Sequence, residues 1–441
     1  MIAFLSKLSE RCVPGAFAIA IGLSFLTLGA AVILTPSGPA AVVGYWGDGV
    51  WVLLTFAMQM CLIVVTGSII ADSPPVRRTL DALARIPKTG RGAVVMTAAV
   101  SMALCWIHWG LGLIASAFLA RSVARRNLSV DYRLLVAAAY LGMGGVWHAG
   151  LSGSSTLLVA TPGNFLADRI GGVLPTSETV FSGFNIGLTL ATFGGLCAMF
   201  WTLYPKRKED AMLLGAEARA RLVEDAGSAS LGKNANRWLR AIEFGYAPCA
   251  ALGGLGIAAV ILASRGKGFS LTLDNLNLLF LCAAVLLHRS PAEFARAAER
   301  GAGFVHGIVI QFPLYAGMFG VIKGSGLDQV LAEAFVALST ARTFPLAVYW
   351  YSGLLNYLIP SGGSQFVVEA PYIFEAADRL GVSQAKTVLA FAWGDMVTNS
   401  IQPFWCLPLL AVAKLEFKDV LGALIPAFLL CLAIGSIAFF L

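Results

Sequence analysis

The sequence predicts an all-α polytopic membrane protein built as an inverted structural repeat, with two re-entrant hairpins and two broken transmembrane helices. Three observations carry that prediction. The 441 residues are 58% hydrophobic and 12% charged, whereas soluble chains carry roughly a quarter charged residues, so there is too little polar surface to wrap a soluble core. The apolar residues gather into runs of membrane length. The chain also matches itself at an offset of about 252 residues. This composition excludes a secreted disulfide scaffold and a nucleic-acid-binding protein. The eight cysteines stand singly in or beside apolar runs and form no Cys-x-x-Cys pair, so they read as small core hydrophobes.

Taken in order, the first run, 13–35, is too long for the apolar core of a signal peptide and reads as the first span. Further single-pass runs follow at 50–71, 181–204, 243–264, 272–288, 303–322 and 418–440. Three other regions are longer and interrupted: 91–121, 132–160 and 344–413, the last dividing at the polar patch 376–386. A straight helix from Arg91 to Arg121 would be about 46 Å long against a hydrocarbon core of about 30 Å. It is broken at Trp106-Ile-His-Trp-Gly-Leu-Gly112, so it folds better as a hairpin that enters and leaves on one side. With 344–375 treated likewise, nine full crossings remain, the N terminus inside and the C terminus outside. That topology puts 24 Lys and Arg on the cytoplasmic side (Lys7, Arg11, those of 77–91, 121–133, 206–240 and 289–300, Lys414 and Lys418) and 7 outside: Arg169, Arg265, Lys267, Lys323, Arg342, Arg379 and Lys386. It obeys the positive-inside rule.

At the offset of about 252 the hairpin 91–121 falls on 344–375, the broken helix 132–160 on 386–413, and Gln59 on Gln311. The basic run 77–91, with Leu80, Leu83, Ala84 and Ile86 at helical spacing, falls on 327–340, and both read as surface helices. The first repeat is 1–204, a cytoplasmic linker occupies 205–240, a connecting span 241–271, and the second repeat 272–441. An odd number of crossings separates equivalent spans, so the copies are antiparallel. Such a design points to an alternating-access transporter with its site at mid-membrane.

The polar interruptions carry the candidate chemistry. In Tyr357-Leu-Ile-Pro-Ser-Gly-Gly-Ser-Gln365, Pro360 ends one arm, Gly362 and Gly363 allow a tight tip, and the next helix starts near Ser364 and Gln365 with free N–H groups that favour an anion. Ser152-Gly-Ser-Ser-Thr156, preceded by Gly142, Gly144, Gly145 and Gly150, and Thr398-Asn-Ser-Ile-Gln-Pro403 are the equivalent breaks. Pro403 frees an upstream carbonyl for a cation. Each cluster has the alternative role of close helix packing. Asp395 is the candidate coupling carboxylate, because a lone buried charge demands sodium, a proton or a donor network; the alternative is a carboxylate that holds the break. Glu369 faces the same cavity or caps a neighbouring helix. His108 and His148 donate to a substrate carboxylate or serve as satisfied structural groups. Gln59 and Gln311 read as bonds between scaffold helices.

The segment Tyr357-Leu-Ile-Pro-Ser-Gly-Gly-Ser-Gln-Phe-Val-Val-Glu-Ala-Pro371, together with Trp393-Gly-Asp-Met-Val-Thr-Asn-Ser-Ile-Gln-Pro-Phe-Trp405, closely resembles the bacterial short-chain fatty acid transporter family of the acetoacetate and butyrate uptake type. That family looks related to a wider ion transporter superfamily whose sodium-dicarboxylate members are homodimers with a scaffold and a mobile domain. The resemblance implies an elevator-type transporter in the bacterial inner membrane, with 91–160 and 344–413 moving, a small monocarboxylate as substrate, a second copy as partner, no nucleic acid, no organic cofactor, and sodium or a proton as coupling ion. The candidate substrate residues are Ser361, Gly362, Gly363, Ser364 and Gln365; His108, Trp109, Gly110 and Gly112; Thr398, Asn399, Ser400 and Gln402; and Ser152, Ser154 and Ser155. The candidate ion-coupling residues are Asp395, Asn399, Glu369, Gly144 and His148. The other function classes are an anion channel and an intramembrane hydrolase, the latter with Ser361 or Ser152 as nucleophile, His108 or His148 as base and Asp395 as orienter. No Gly-x-Ser-x-Gly elbow supports the hydrolase.

Overall fold

In the computed structural model the described residues are 16–127, 129–207, 211–214, 236–265 and 268–441. Lys7, Arg11, Cys12, Lys267 and most of the 205–240 linker lie outside them. Among the described residues the protein is all helix, without strands. The first half comprises α1 (Ala16–Leu34), α2 (Pro39–Gly49), α3 (Leu54–Asp72), α4 (Pro74–Leu83), α5 (Gly90–Ile107), α6 (Trp109–Arg126), α7 (Tyr132–Gly145), a 3-10 turn (Trp147–Ala149), α8 (Ser154–Ala160), α9 (Ala167–Ile170) and α10 (Gly183–Leu203). After α11 (Arg237–Glu243) and α12 (Ala247–Ser264) come α13 (Leu273–Leu286), α14 (Pro291–Ala302), α15 (His306–Ser325), α16 (Leu327–Leu338), α17 (Phe344–Asn356), α18 (Gly362–Leu380), α19 (Gln384–Thr398), a 3-10 turn (Asn399–Ile401), α20 (Cys406–Ala413) and α21 (Phe417–Phe440).

Among the described residues eight helical stretches, with α11–α12 and α19–α20 each counted as one, are long and apolar enough to cross a membrane, and the pair α7 and α8, bent by 41° at their break, makes a ninth. The total equals the nine crossings expected from sequence, but the membership differs: α5 qualifies on its own, and α13, at 14 residues, is shorter than the roughly 20 a span needs. Large apolar side chains such as Phe25, Ile33 and Leu255 stand more than half exposed. A water-facing surface would not tolerate that density of them, whereas lipid does. The molecule is a multi-pass membrane protein.

Three elements lie where the sequence reading assigned no secondary structure. The basic run 289–300 is a helix, α14: Ser290 caps it by accepting from Glu293 N, and Glu293 accepts in return from Arg289 N. Ser-Pro-Ala-Glu already carried that signal, with proline at the first helical position. Helix α2 begins at a proline too and ends against α15, where a Cβ on Gly49 would lie 2.6 Å from Ala316 O and 2.8 Å from Gly320 Cα. Paired glycines there let two backbones touch. Finally, the polar patch 376–386 is mostly helical: α18 runs on to Leu380, where Gly381 ends it with a left-handed φ of 68°, and α19 starts at Gln384.

Helix bounds recur at an offset of 253. The register carries α3 onto α15, α4 onto α16, the break at His108 onto the break at Ser361, the end of α7 onto the end of α19, and α8 onto α20, each within about two residues. Phe312, not Gln311, therefore occupies the position equivalent to Gln59. Packing follows the same pattern: α5 lies on α7 as α17 lies on α19, and α6 lies on α3 and α4 as α18 lies on α15 and α16. The two halves also interlock, since α6 packs on α20 and α18 on α8. All four interruptions are thereby gathered in one region.

Candidate functional site

The first interruption is closed on itself. His108 sits at φ −158°, ψ 107° between α5 and α6, and its Nδ1 accepts from Leu111 N at 3.2 Å, so this histidine is the N-cap of α6. Its ring lies 4.0 Å from that of Phe280 and is fully buried. Breaking the helix frees a carbonyl at Trp106 and an N–H at Trp109. The loop after the 3-10 turn answers both: Leu151 N donates to Trp106 O at 2.7 Å, and Ser152 Oγ accepts from Trp109 N at 2.9 Å. Cβ atoms on Gly67 and Gly110 would fall 2.5 Å from Leu111 N and 2.9 Å from Ile63 O, and one on Gly112 would fall 2.5 Å from Cys105 N. This tip is welded to α3 and to its own first arm.

The second interruption repeats the geometry with different chemistry. Ser361, 253 positions after His108, has φ −159° and ψ 103° and caps α18. Its hydroxyl accepts from Ser364 N at 3.5 Å and donates to Ser364 Oγ at 3.1 Å. Trp405, 253 positions after Ser152, donates its indole N–H to Pro360 O at 2.9 Å. The nearest atoms to a Cβ on Gly363 would be those of the Phe56 and Phe312 rings, at 3.0 and 3.4 Å.

Beneath this tip lies a fully buried histidine–carboxylate pair. His148 Nδ1 and Asp395 Oδ2 are 2.6 Å apart. Ser155 N can only donate, and it points at His148 Nε2 at 3.2 Å, so Nε2 accepts and Nδ1–H donates to the carboxylate. The hydroxyls of Ser154 and Ser155 lie 3.0 and 2.9 Å from the same Nε2. Asp395 Oδ1 has no partner. A Cβ on Gly362 would come within 2.6 Å of His148 Cε1 and 2.9 Å of Asp395 Oδ2, so only glycine lets the tip rest on this pair. The serines that reach His148 are therefore Ser154 and Ser155. Ser361 and Ser152, the nucleophile candidates from sequence, are committed to Ser364 and Trp109.

A second buried carboxylate, Glu369 on α18, accepts from Ser352 Oγ at 2.7 Å and from Gln365 Nε2 at 2.6 Å. Around the other break, Asn356 Nδ2 donates to Thr398 Oγ1 and Asn399 Oδ1, both at 2.9 Å, and Gln402 Nε2 donates to Asn356 O at 3.1 Å. Tyr140 donates to Asn399 O at 3.1 Å, and Gly144 faces Ser400 so closely that a Cβ would overlap its hydroxyl. The two broken helices thus cross at their breaks. Asn356, one residue before the tip motif, was missed from sequence, although an asparagine in an apolar arm was a legible signal.

A cavity of about 370 Å³ opens beside the second tip, lined by Trp109, Gly110, Ser361, Ser364, Gln311, Phe312 and Trp405 among others, with Phe304 and His306 also on its wall. It adjoins a smaller pocket of about 20 Å³ between Met60, Met143, Trp147, Ser154, Gly362 and Gly363; Trp109, Ile308, Phe312, Ser361 and Trp405 border both. The three tryptophans stand edge to face, Trp109 with Trp147 at 5.7 Å and with Trp405 at 5.3 Å. Of the candidate residues, Ser361, Gly362, Gly363, Ser364, Trp109, Gly110 and Ser154 line these spaces. His108, Gly112, Gly144, His148, Ser152, Ser155, Gln365, Glu369, Asp395, Thr398, Asn399, Ser400 and Gln402 lie behind them as buried support. Gln311 lines the cavity, where the sequence reading had it between scaffold helices. Among the described residues, no group of three or more His, Cys, Asp or Glu is placed to hold a metal ion.

Comparison with known proteins gives this geometry a family. Two bacterial relatives carry the name "Putative short-chain fatty acid transporter". That of Escherichia coli (strain K12) is 38% identical over 432 residues, covering 97% of this chain and 96% of its own, and that of Haemophilus influenzae is 36% identical over 425 residues, covering 95% and 94%. Among solved structures, the Alcanivorax borkumensis YdaH transporter, described as having an unusual topology, superposes with a TM-score of 0.62 at 17% identity over 97% of this chain and 98% of that one. Neisseria gonorrhoeae MtrF, described in terms of antimetabolite efflux pumps, gives 0.55 at 14% identity over 99% and 97%. At such identities these two establish the fold alone. The family and the bacterial relatives are named as transporters and not as enzymes. The family described as short chain fatty acid transporter matches residues 1–441, and the chain belongs to it.

Proposed function

We propose that this protein is a secondary active transporter that imports short-chain fatty acids or related small monocarboxylates such as butyrate and acetoacetate, driven by a sodium or proton gradient across the bacterial inner membrane. The observation that carries the reading is the gathering of two hairpin tips and two helix breaks around one amphiphilic cavity, on halves whose helix bounds recur at 253 residues. That recurrence supports an inverted repeat of 1–204 and 272–441 joined by the 205–240 linker and a connecting span, in which 91–160 and 344–413 move as an elevator. By the resemblance, two copies form a homodimer. The carboxylate binds at the hydroxyls of Ser361 and Ser364 on the start of α18, where unpaired N–H groups favour an anion. Asp395, with one bare carboxylate oxygen beside the tip, couples the coupling ion to the substrate.

The charge distribution supports a cytoplasmic N terminus. Asp72 bridges Arg77 and Arg300, both assigned inside, while Arg169 bridges Glu375 at 2.7 Å and Asp378 at 2.9 Å near Lys323, both basic residues assigned outside. The cavity wall includes the start of α15, next to the basic helix α14, so the cavity opens inward. Arg121→Cys and Arg126→Cys are expected to react only with thiol reagent supplied from the cytoplasmic side; labelling from outside overturns the topology. Uptake of radiolabelled butyrate into proteoliposomes, with sodium and pH gradients imposed separately, tests the function. Accumulation under one gradient alone identifies the ion, and accumulation under neither removes the transporter reading.

A further inference from the structure

We propose that the small pocket beneath the second hairpin tip holds the alkyl chain of the substrate and limits its length. This rests on the transporter reading above and adds to it which end of the acid goes where. Polar groups stand on both sides of the junction: Ser361 and the indole of Trp109 border both spaces, Ser364 the outer one, and the indole of Trp147 with Gly362 and Gly363, whose first-turn N–H groups lack helical partners, the inner one. Both indoles are at least nine-tenths buried and neither has a hydrogen-bond partner. A carboxylate at that junction can send its chain in one of two directions. The outer cavity, about 370 Å³ and walled partly by the exposed Phe304 and His306, leaves a chain within reach of water and sets no limit on length.

The inner pocket does the reverse. Its 20 Å³ is little more than the roughly 10–15 Å³ that one water requires, and its walls are chiefly Met60, Met143, Trp147, Ile308 and Phe312. Apolar groups leave water most completely there, which is the direction the hydrophobic effect favours. Because Gly362 and Gly363 carry no side chains, the floor of the tip adds no bulk, and the far wall is set by two methionines from different elements, α3 and α7. As it stands the space takes about one methyl group, and a longer chain enters only as the flexible thioether chains of Met60 and Met143 move aside, so each added carbon is resisted more strongly.

The test is competition of radiolabelled butyrate uptake in proteoliposomes by unlabelled acetate, butyrate, hexanoate and octanoate. Met60→Ala and Met143→Ala are expected to improve hexanoate relative to butyrate by about tenfold or more, the usual weight of methylene-scale changes in an apolar pocket. Met60→Phe, which fills the pocket, is expected to shift preference toward acetate and stands in if the alanine variants do not fold. Phe404→Ala, in the outer cavity, is expected to leave the order unchanged. An unaltered order in folded Met60 and Met143 variants, or a shift produced by Phe404→Ala instead, places the chain in the outer cavity and overturns the proposal. Wild-type protein that takes up no butyrate fails the transporter reading itself, so the two failures are separable.

Discussion

The interruptions at His108 and Ser361 have the same backbone and opposite surroundings. His108 and Ser361 share φ and ψ to within a few degrees and each caps the helix that follows. Around His108 the Trp106 carbonyl and the Trp109 N–H are bonded by Leu151 and Ser152, His108 itself caps Leu111 N, and glycines seat the tip on the backbone of α3. Around Ser361 the neighbours are aromatic rings, hydroxyls and a cavity. Ser152 and Trp405 hold equivalent positions, yet the small serine bonds the backbone of its tip, whereas the large tryptophan both bonds its tip and walls the cavity beside it. Equivalent backbone therefore does not imply equivalent surroundings: the first tip is sealed by its neighbours, and the second, where the proposed function puts the ligand, borders a cavity.

That division can be broken by substitution. The largest effect is expected from Gly67→Val, whose branched side chain meets the backbone of Leu111 at a distance no rotamer relieves; loss of monodisperse protein in detergent is the expected outcome, and a folded, active variant would show that the first tip is not welded. Asp395→Asn comes next: uptake is expected to run down its own gradient without concentrating butyrate, because the charge facing the tip is gone while the shape is kept. Normal accumulation in that variant makes Asp395 a structural residue.

Ser152→Ala and Ser364→Ala form a matched pair. The first leaves Trp109 N–H without its partner and is expected to cost about 1–3 kcal/mol of stability, seen as a lower melting temperature with unchanged apparent affinity. The second is expected to weaken butyrate affinity by about tenfold with little change in melting. If both act on melting alone, the carboxylate does not sit at the second tip. The smallest effect belongs to Trp405→Phe, which deletes one hydrogen bond to Pro360 O and keeps most of the ring, costing about 0.5–1.5 kcal/mol; a several-fold rise in the half-saturating butyrate concentration is the measure.

Much of this was legible in the sequence because breaks in membrane helices are conspicuous. Glycine, proline and small polar residues inside apolar runs marked all four interruptions, and the apolar stripe of 77–91 marked α4. Short helices were harder to read. Helix α2 has no charged face and α14 no apolar run of membrane length, so only Ser290, Pro291, Glu293 and Pro39 announced them. Within the site most polar residues were found, Asn356 apart, whereas Met60, Met143, Ile308 and Phe312 look like any lipid-facing residue until folding brings α3, α7 and α15 together. His108 and His148 were indistinguishable in sequence, each beside a tryptophan in a break. Only tertiary contact separates a cap from the partner of a carboxylate 247 positions away.

The crossing of the two broken helices has a genetic consequence. Gly144 and Ser400 share a space that holds one hydroxymethyl group and no more, and Tyr140 ties the same crossing through Asn399. A serine at 144 alone is a lesion, yet the same change accompanied by Ser400→Gly merely passes the hydroxymethyl from one helix to the other. Each position constrains what the other can become, so the two halves of this duplicated chain are not free to drift apart at their centre: a change in one is viable there only as a response to a change in its twin.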